Sequence, residues 1–218
     1  METETLLRKL DQYEDICPKN LQEFNELKEL LDELSQPQNL KYLLDTYTDG
    51  LLSYCEEYDF LTKVALYHTP NGKLRLRLNL FLPGYANRIH HHRWDYMAKI
   101  LCGGYIQSLY GKKQDFNLDH LQMAFVYPDE ISTINKGDIY YLHRDYVHSI
   151  SALPNTISLC LRGPAKGDKF WVMDPKLNTI WWQYGEKLET YEEKQVKSMS
   201  QGTLQQIKQQ LITLLGDN

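Results

Sequence analysis

Residues 84–92 read Gly-Tyr-Ala-Asn-Arg-Ile-His-His-His, and Gly137 is followed eleven residues later by His148. Side chains on a strand alternate between its two faces, so His90 and His92 fall on one side and His91 on the other. A third imidazole from a separate strand, His148, would close a three-nitrogen metal site with open coordination positions. Imidazole nitrogen suits iron, zinc, copper or nickel, and three such ligands leave room for a substrate beside dioxygen or water. His91 is expected at the surface or behind the ligands, and His143 as a residue that orients a ligand or caps a turn.

Around this stretch, from about Thr62 to Gln183, the chain runs in short segments rich in Val, Ile, Leu, Tyr and Phe, broken by Pro-Asn-Gly-Lys, Pro-Gly, Gly-Gly, Lys-Gly-Asp and Leu-Pro-Asn. These are turn signals between strands. Pro70-Asn-Gly72 predicts a hairpin turn. After it Leu74, Leu76, Leu78, Leu80 and Leu82 alternate with Arg75, Arg77, Asn79 and Phe81. Such a strand separates two environments, and its arginines either face bulk water or line a polar cavity inside a barrel. Trp181 and Trp182 should point to opposite faces, one into the barrel and one under a helix. The first third reads as helical: Leu21, Phe24, Leu27, Leu31 and Leu34 recur at helical spacing between Pro18 and Pro37, with a second helix expected from about Leu40 to Tyr54. Beyond Ser200, Leu204, Ile207, Leu211, Leu214 and Leu215 predict a closing helix.

Composition narrows the function classes. The 218 residues are 42% hydrophobic and 12% aromatic, an ordinary globular balance with room for a real core. Residues 1–60 hold 15 acidic against 5 basic side chains and the remainder 14 against 19, so the net charge of −5 divides into −10 and +5. The positive excess sits with the histidines and suits a small anionic substrate, or is scattered surface lysine. There is no dense basic stripe for nucleic acid, no run of about 18 apolar residues for a membrane span, and no basic-then-apolar start for secretion. A cytoplasmic protein is expected. Cys17, Cys55, Cys102 and Cys160 lack a CxxC pair, which favours reduced thiols. The HxHxDH pattern of metal hydrolases, GxGxxG, the Walker loop and the GxSxG elbow are all absent.

Read as a pattern, Gly84 (x)5 His90 x His92 (x)3 Tyr96 (x)6 Gly103 resembles the first motif of the cupin superfamily, with Tyr96 where most cupins place a metal-binding Glu. The looser second motif, Gly137 (x)5 His143 x Asp145 (x)2 His148 (x)3 Ala152, has His143, Asp145 and Ala152 at the usual Pro, Gly and Asn positions. The resemblance covers about residues 62–183. It implies a mainly β fold, the cupin double-stranded β-helix or jelly-roll barrel, with metal in its mouth. Helices of residues 1–61 would pack on a barrel spanning 62–185, and 186–218 would form a C-terminal extension with a helix. Without the carboxylate ligand the chain is similar to the three-histidine subset, and within it to thiol dioxygenases such as cysteine dioxygenase, which hold Fe(II) with three histidines. Ile89 before the first ligand and Ser158-Leu-Cys160-Leu-Arg162-Gly-Pro164 carry that resemblance. In those enzymes the second element is Ser-x-His-x-Tyr before a Pro, so Cys160 stands where the histidine would be and Arg162 where the tyrosine would be. Met97 stands where animal cysteine dioxygenases have the cysteine crosslinked to that tyrosine, and the substrate-carboxylate arginine would fall near Lys63 or Val64. The crosslink cannot form here, and a three-histidine iron oxygenase survives the comparison better than a cysteine oxidase.

The expectation is therefore a mononuclear non-haem Fe(II) dioxygenase, or a site for another divalent first-row metal, acting with dioxygen on a small anionic thiol or amino-acid-like substrate. His90, His92 and His148 would be ligands. Ser158, Cys160 and Arg162 share a strand face, and the Arg162 fork would hold a carboxylate or phosphate, or else make a rim ion pair. Trp94 and Tyr96 share the parity of His92, and Tyr96 would hydrogen-bond the oxygen species or simply pack in the core. Arg75, Arg77, Trp94, Tyr141, Ser158 and Cys160 are the expected substrate contacts. The alternatives are a non-enzymatic cupin that binds a small ligand and a metal-dependent isomerase or lyase.

Overall fold

The computed structural model describes residues 2–46, 49–81, 88–185 and 188–216. Leu82 and Gly84, both used in the sequence reading, lie outside them. Helices α1 (Thr3–Leu10), α2 (Leu21–Leu34) and α3 (Pro37–Asp45) come first, followed by a 3₁₀ turn at Asp49–Tyr54. Strands β1 (Glu56–Glu57), β2 (Leu61–His68), β3 (Arg75–Phe81), β4 (Ile89–His90), β5 (Tyr96–Cys102) and β6 (Gly104–Lys112) form the first half of the sheet region. Its second half is β7 (Glu130–Asn135), β8 (Ile139–Leu142), β9 (Tyr146–Ala152), β10 (Ile157–Arg162), β11 (Lys169–Asp174) and β12 (Thr179–Tyr184), and α4 (Tyr191–Lys197) and α5 (Gln201–Gly216) close the chain.

The apolar repeat beginning at Leu21 forms α2, in which Leu27, Leu30, Leu31 and Leu34 are buried. The Asn20 side chain caps it, accepting from the Glu23 amide at 2.9 Å and so satisfying a donor that has no partner within the helix. Pro37 opens α3 in its first turn, where a missing N–H costs nothing. The helix expected over Leu40–Tyr54 is thus α3, ending at Asp45, with the 3₁₀ turn after it. Helix α1 falls in the first third read as helical but was not delimited there, and α4 was not expected; at 8 and 7 residues both are shorter than the window in which helical periodicity can be read.

The strands make two six-stranded sheets, ordered β1-β2-β3-β10-β5-β8 and β12-β11-β4-β9-β6-β7. Neighbouring strands are antiparallel throughout. The two sheets make a jelly roll, mainly β, with helices at both ends of the described chain. Gly103 turns β5 into β6 at φ +70°, and a Cβ there would lie 2.3 Å from the Thr156 hydroxyl, so no larger residue fits.

Alternation on each strand separates two cores. On β3 and β10 Leu76, Leu78, Leu159 and Leu161 face outward and pack with Leu6, Leu10, Leu27 and Leu31 of the helices. The opposite face looks into the barrel, where Phe81 meets Tyr105 of the other sheet edge-on at 5.3 Å and packs with Ile100, Ile134, Ile150 and Ala152. Arg75, Arg77 and Asn79 share that inner face, so the arginines point into the barrel interior and not to bulk water. Outside the second sheet Ile89, Val147, Trp171 and Met173 are covered by Phe116, Leu118 and neighbouring loop residues. Trp181 shares the face of Val172 and His90, half-buried under Arg88 at 5.2 Å. Trp182, on the other face, is 41% exposed with Lys169 lying over it, in place of the helix expected there.

Candidate metal centre and its pocket

The antiparallel register places His90 of β4 directly opposite His148 of β9. Such cross-strand neighbours lie about 5 Å apart at Cβ, close enough to share an ion. The chain leaves strand geometry after His90, and His92 brings its Nε2 to 2.9 Å from Nε2 of His148. The rings are 4.6, 4.7 and 5.0 Å apart between centroids, and one nitrogen from each of the three lies within 4.8 Å of the others. Two nitrogens bound tetrahedrally at ~2.1 Å stand ~3.4 Å apart, so small ring movements would seat an ion.

Protonation fits ligation. Burial pushes the His90 imidazolium down to about 4, and the same desolvation holds His92 and His148 well below the ordinary range, aided by each one's proximity to His90. All three are neutral at pH 7, the form that binds metal. Nδ1 of His90 donates to the Arg88 carbonyl at 2.9 Å, which fixes the tautomer and leaves Nε2 as the donor atom for an ion.

The pocket wall comes from both sheets. Tyr96 stands edge-on to His92 at 5.0 Å, and burial, with Cys160 beside it, raises its hydroxyl far above the ordinary range, so it stays protonated. Trp94 tilts 6.2 Å from His92. Arg162 lies over its ring at 4.7 Å, Arg93 at 4.8 Å and Arg77 at 6.0 Å. Arg75 sits over Tyr54 at 3.9 Å and pairs in register with Arg162. Deeper in the barrel Ser158 accepts from the Tyr105 hydroxyl at 2.6 Å, and Cys160 neighbours Tyr96 and Tyr140. Five buried polar atoms of this interior find no partner among the described residues: Arg77 Nε, Asn79 Oδ1, Trp94 Nε1, Gln107 Oε1 and His148 Nδ1. Buried polar atoms are normally satisfied by protein, water or a ligand, so this interior offers polar groups to water or to a bound molecule.

Of the sequence-predicted contacts Tyr141 does not join this group. It alternates with Tyr140, and its ring packs on Phe24 of α2 outside the barrel. Tyr140 holds the inward position instead, edge-on to Tyr96 at 5.8 Å and to Tyr105 at 6.2 Å. A sequence shows that two adjacent residues face oppositely but not which one faces in. His91 is not at the surface: it is 5% exposed, edge-on to Trp171 at 5.3 Å, and its Nε2 accepts from the Trp171 amide. His143 caps a turn by accepting from the Asp145 amide at 3.2 Å. With Cys17 and Asp95 it forms a second group of close metal-ligating atoms, but the Asp95 carboxylate already accepts from the Arg144 amide and guanidinium at 2.7 and 2.8 Å. Lys63, at the place where the resemblance puts a substrate-carboxylate arginine, is held by Glu56 at 2.7 Å. Arg93, Tyr140 and Gln107 were missed. Strand parity would send Arg93 outward with His91, but β4 ends at His90 and the rule lapses there.

No family model matches the sequence, and no curated protein matches it. Among solved structures the chain is similar to KdgF from Halomonas sp., at 18% identity over 50% of this chain and 84% of that one, with a TM-score of 0.38. It is similar to an RmlC-like cupin from Shewanella frigidimarina, at 16% identity over 56% and 92% of the two chains and a TM-score of 0.39. It is also similar to Fe(II)-HppE, at 14% identity over 49% and 50%, with a TM-score of 0.37. At these levels what this chain does rests on its own residues.

Proposed function

We propose that this chain is a mononuclear metal-dependent enzyme and, within that class, an Fe(II) dioxygenase acting on a small anionic substrate. The observation that carries the proposal is a triad of neutral imidazoles, His148 buried and His90 and His92 partly so, facing a protonated tyrosine and several guanidiniums across the barrel interior. His90, His92 and His148 would hold the ion, which when bound supplies one-electron chemistry and open positions for substrate and dioxygen.

The chain's own residues supply binding, orientation and proton control. Arg162 and Arg77 hold the substrate's acid group with planar forks, which position it more strictly than an ammonium would. Trp94, lying under those guanidiniums, keeps them in place and excludes water, which strengthens every charge interaction inside. Tyr96 keeps its proton at the hydroxyl and donates a hydrogen bond where negative charge develops on oxygen. Met97 packs with Leu161 in the helix-facing core, on the face of β5 opposite Tyr96, and Arg162 stands opposite Tyr96 on the inner face. The thiol-dioxygenase details therefore do not carry over, and the substrate class is set by charge.

The test is anaerobic Fe(II) loading followed by oxygen uptake on a panel of small thiols, amino acids and diacids. About one equivalent of iron, lost in each single His→Ala variant, with oxygen consumed in the presence of one substrate class, is the expected result. Iron stoichiometry unmoved by those variants would remove the site. Turnover without oxygen would place the enzyme among isomerases and lyases, and tight metal without turnover among non-enzymatic binders.

A further inference from the structure

The geometry points to a built subsite for a dianion, a ligand carrying two acid groups or one phosphate monoester, held between Arg77 and Arg162 on the Trp94 ring beside the three histidines. It deepens the proposed function by naming the substrate class, and it rests on that function only in calling the dianion a substrate.

The register does most to set the charge of this place. Arg162 on β10 stands directly opposite Arg75 on β3, and Cys160 stands opposite Arg77. Arg77 is thus the diagonal neighbour of Arg162, about 7 Å away on the same inner face. Like charges opposite each other across strands repel, and more strongly in a water-poor interior than on a surface. Arg93 brings a further guanidinium over the same indole at 4.8 Å. The Arg162 guanidinium is depressed to about 9, by burial first and then by Arg75, Arg77 and Arg93. Among the described residues no carboxylate lies within ion-pair distance of Arg77 or Arg162, and the one hydrogen bond of the Arg162 side chain there goes to the Gly163 carbonyl at 3.2 Å. Arg77 Nε and Trp94 Nε1 are buried donors with no partner among the described residues.

Two partly buried guanidiniums, Arg77 and Arg162, with no carboxylate beside them among the described residues are costly to keep for stability alone, because neutral side chains of the same volume pack better. A guest with two negative charges resolves it. Two guanidinium forks match two carboxylates or the several oxygens of one phosphate, and each fork in place gives charge-assisted hydrogen bonds in a desolvated site. A monoanion leaves one guanidinium uncompensated, so the site discriminates by charge number. Stacking on Trp94 fixes the planes beforehand, which lowers the ordering cost of binding.

The experiment uses the full chain freed of metal with a chelator, so that ion coordination plays no part. Trp94 fluorescence and calorimetry follow binding of inorganic phosphate, succinate and acetate at one ionic strength. Phosphate or succinate is expected to bind at least tenfold tighter than acetate, and whichever of the two wins separates the phosphate source from the dicarboxylate source. Arg162→Met and Arg77→Met should each weaken the better dianion about tenfold or more, and Arg162→Lys should weaken it less. Melting temperature gives a second readout. In anion-free buffer Arg162→Met is expected to melt no lower than the natural chain, because repulsion has been relieved, whereas a structural arginine would lower it. Equal affinity for acetate and the dianions, or Arg variants that bind as the natural chain does, would overturn the subsite. Dianion binding that survives while iron never binds would retain the subsite and sink the oxygenase.

Discussion

Two imidazole nitrogens 2.9 Å apart, on His92 and His148, sit in a site that must stay neutral to work. His90 titrates at about 4 when folded, against ~6.5 in the unfolded chain. Between those values the unfolded state binds more protons, so stability of the metal-free protein is complete above about pH 6.5 and falls as pH drops. His90 alone is expected to cost about 2 kcal/mol by roughly pH 5. Melting curves of chelated protein between about pH 8 and pH 5 check this, and a flat profile would contradict the neutral-imidazole assignment. At Tyr96 the expectation is kinetic. Tyr96→Phe should lower kcat about a hundredfold, the effect of one lost oxyanion donor, with iron stoichiometry intact. Single-turnover assays on the iron-loaded variant check it, and unaltered kcat would reduce Tyr96 to a packing residue.

At the level of elements, β3 and β10 divide apolar from polar with one residue's offset. Leu76 is fully buried against the helices while Arg75 and Arg77 lie on the inner face of the barrel. Leu76→Ala should destabilise the chain by about 2–5 kcal/mol through lost transfer energy and the void left behind. It should not alter dianion affinity in the folded fraction, since the change lies on the other face. Asn20→Ala removes the cap of α2 and should cost about 1 kcal/mol. Urea titrations of both variants check the values, and a Leu76→Ala loss below about 1 kcal/mol would mean that the helices pack loosely on this sheet.

Across the molecule, Glu56 ties three parts of the chain together. Its carboxylate accepts from Lys63 of β2 at 2.7 Å and from Lys197 of α4 at 2.8 Å, and Lys197 also reaches Glu189 at 2.6 Å. Burial works to raise the Glu56 carboxyl, but the two ammoniums together outweigh it and hold it far below the usual range. A depressed carboxyl contributes stability that is complete above the unfolded value of about 4.3 and is lost as pH falls toward the folded one. Glu56→Gln should cost roughly 3 kcal/mol at neutral pH by leaving the Lys63 ammonium without its carboxylate and Lys197 with Glu189 alone, and should blunt the acid transition. Denaturant titrations near pH 7 and pH 4 check both effects; equal losses at the two pH values would disconnect this carboxylate from acid unfolding.

Alternation and turn chemistry are local, so the run of strands from about Thr62 to Gln183 and the helices at α2 and α5 were legible in the residues alone, whereas His92 lies beyond the end of β4 and reaches the triad through the turn that follows. The leucine-against-arginine pattern of residues 74–81 was legible as two environments for the same reason. Which environment was the cavity depended on the helices covering the leucine face, a long-range event that no window of sequence contains. The meeting of His148 with the other two rings depended likewise on the β4–β9 register, between residues 58 apart in the chain. Tyr140 rather than Tyr141 faces inward, and Arg93 joins the Trp94 ring, because sheet closure chooses the inner face and the end of β4 releases the backbone from strand parity. A sequence sets the period of a pattern. Its phase relative to the core is fixed only when the elements pack.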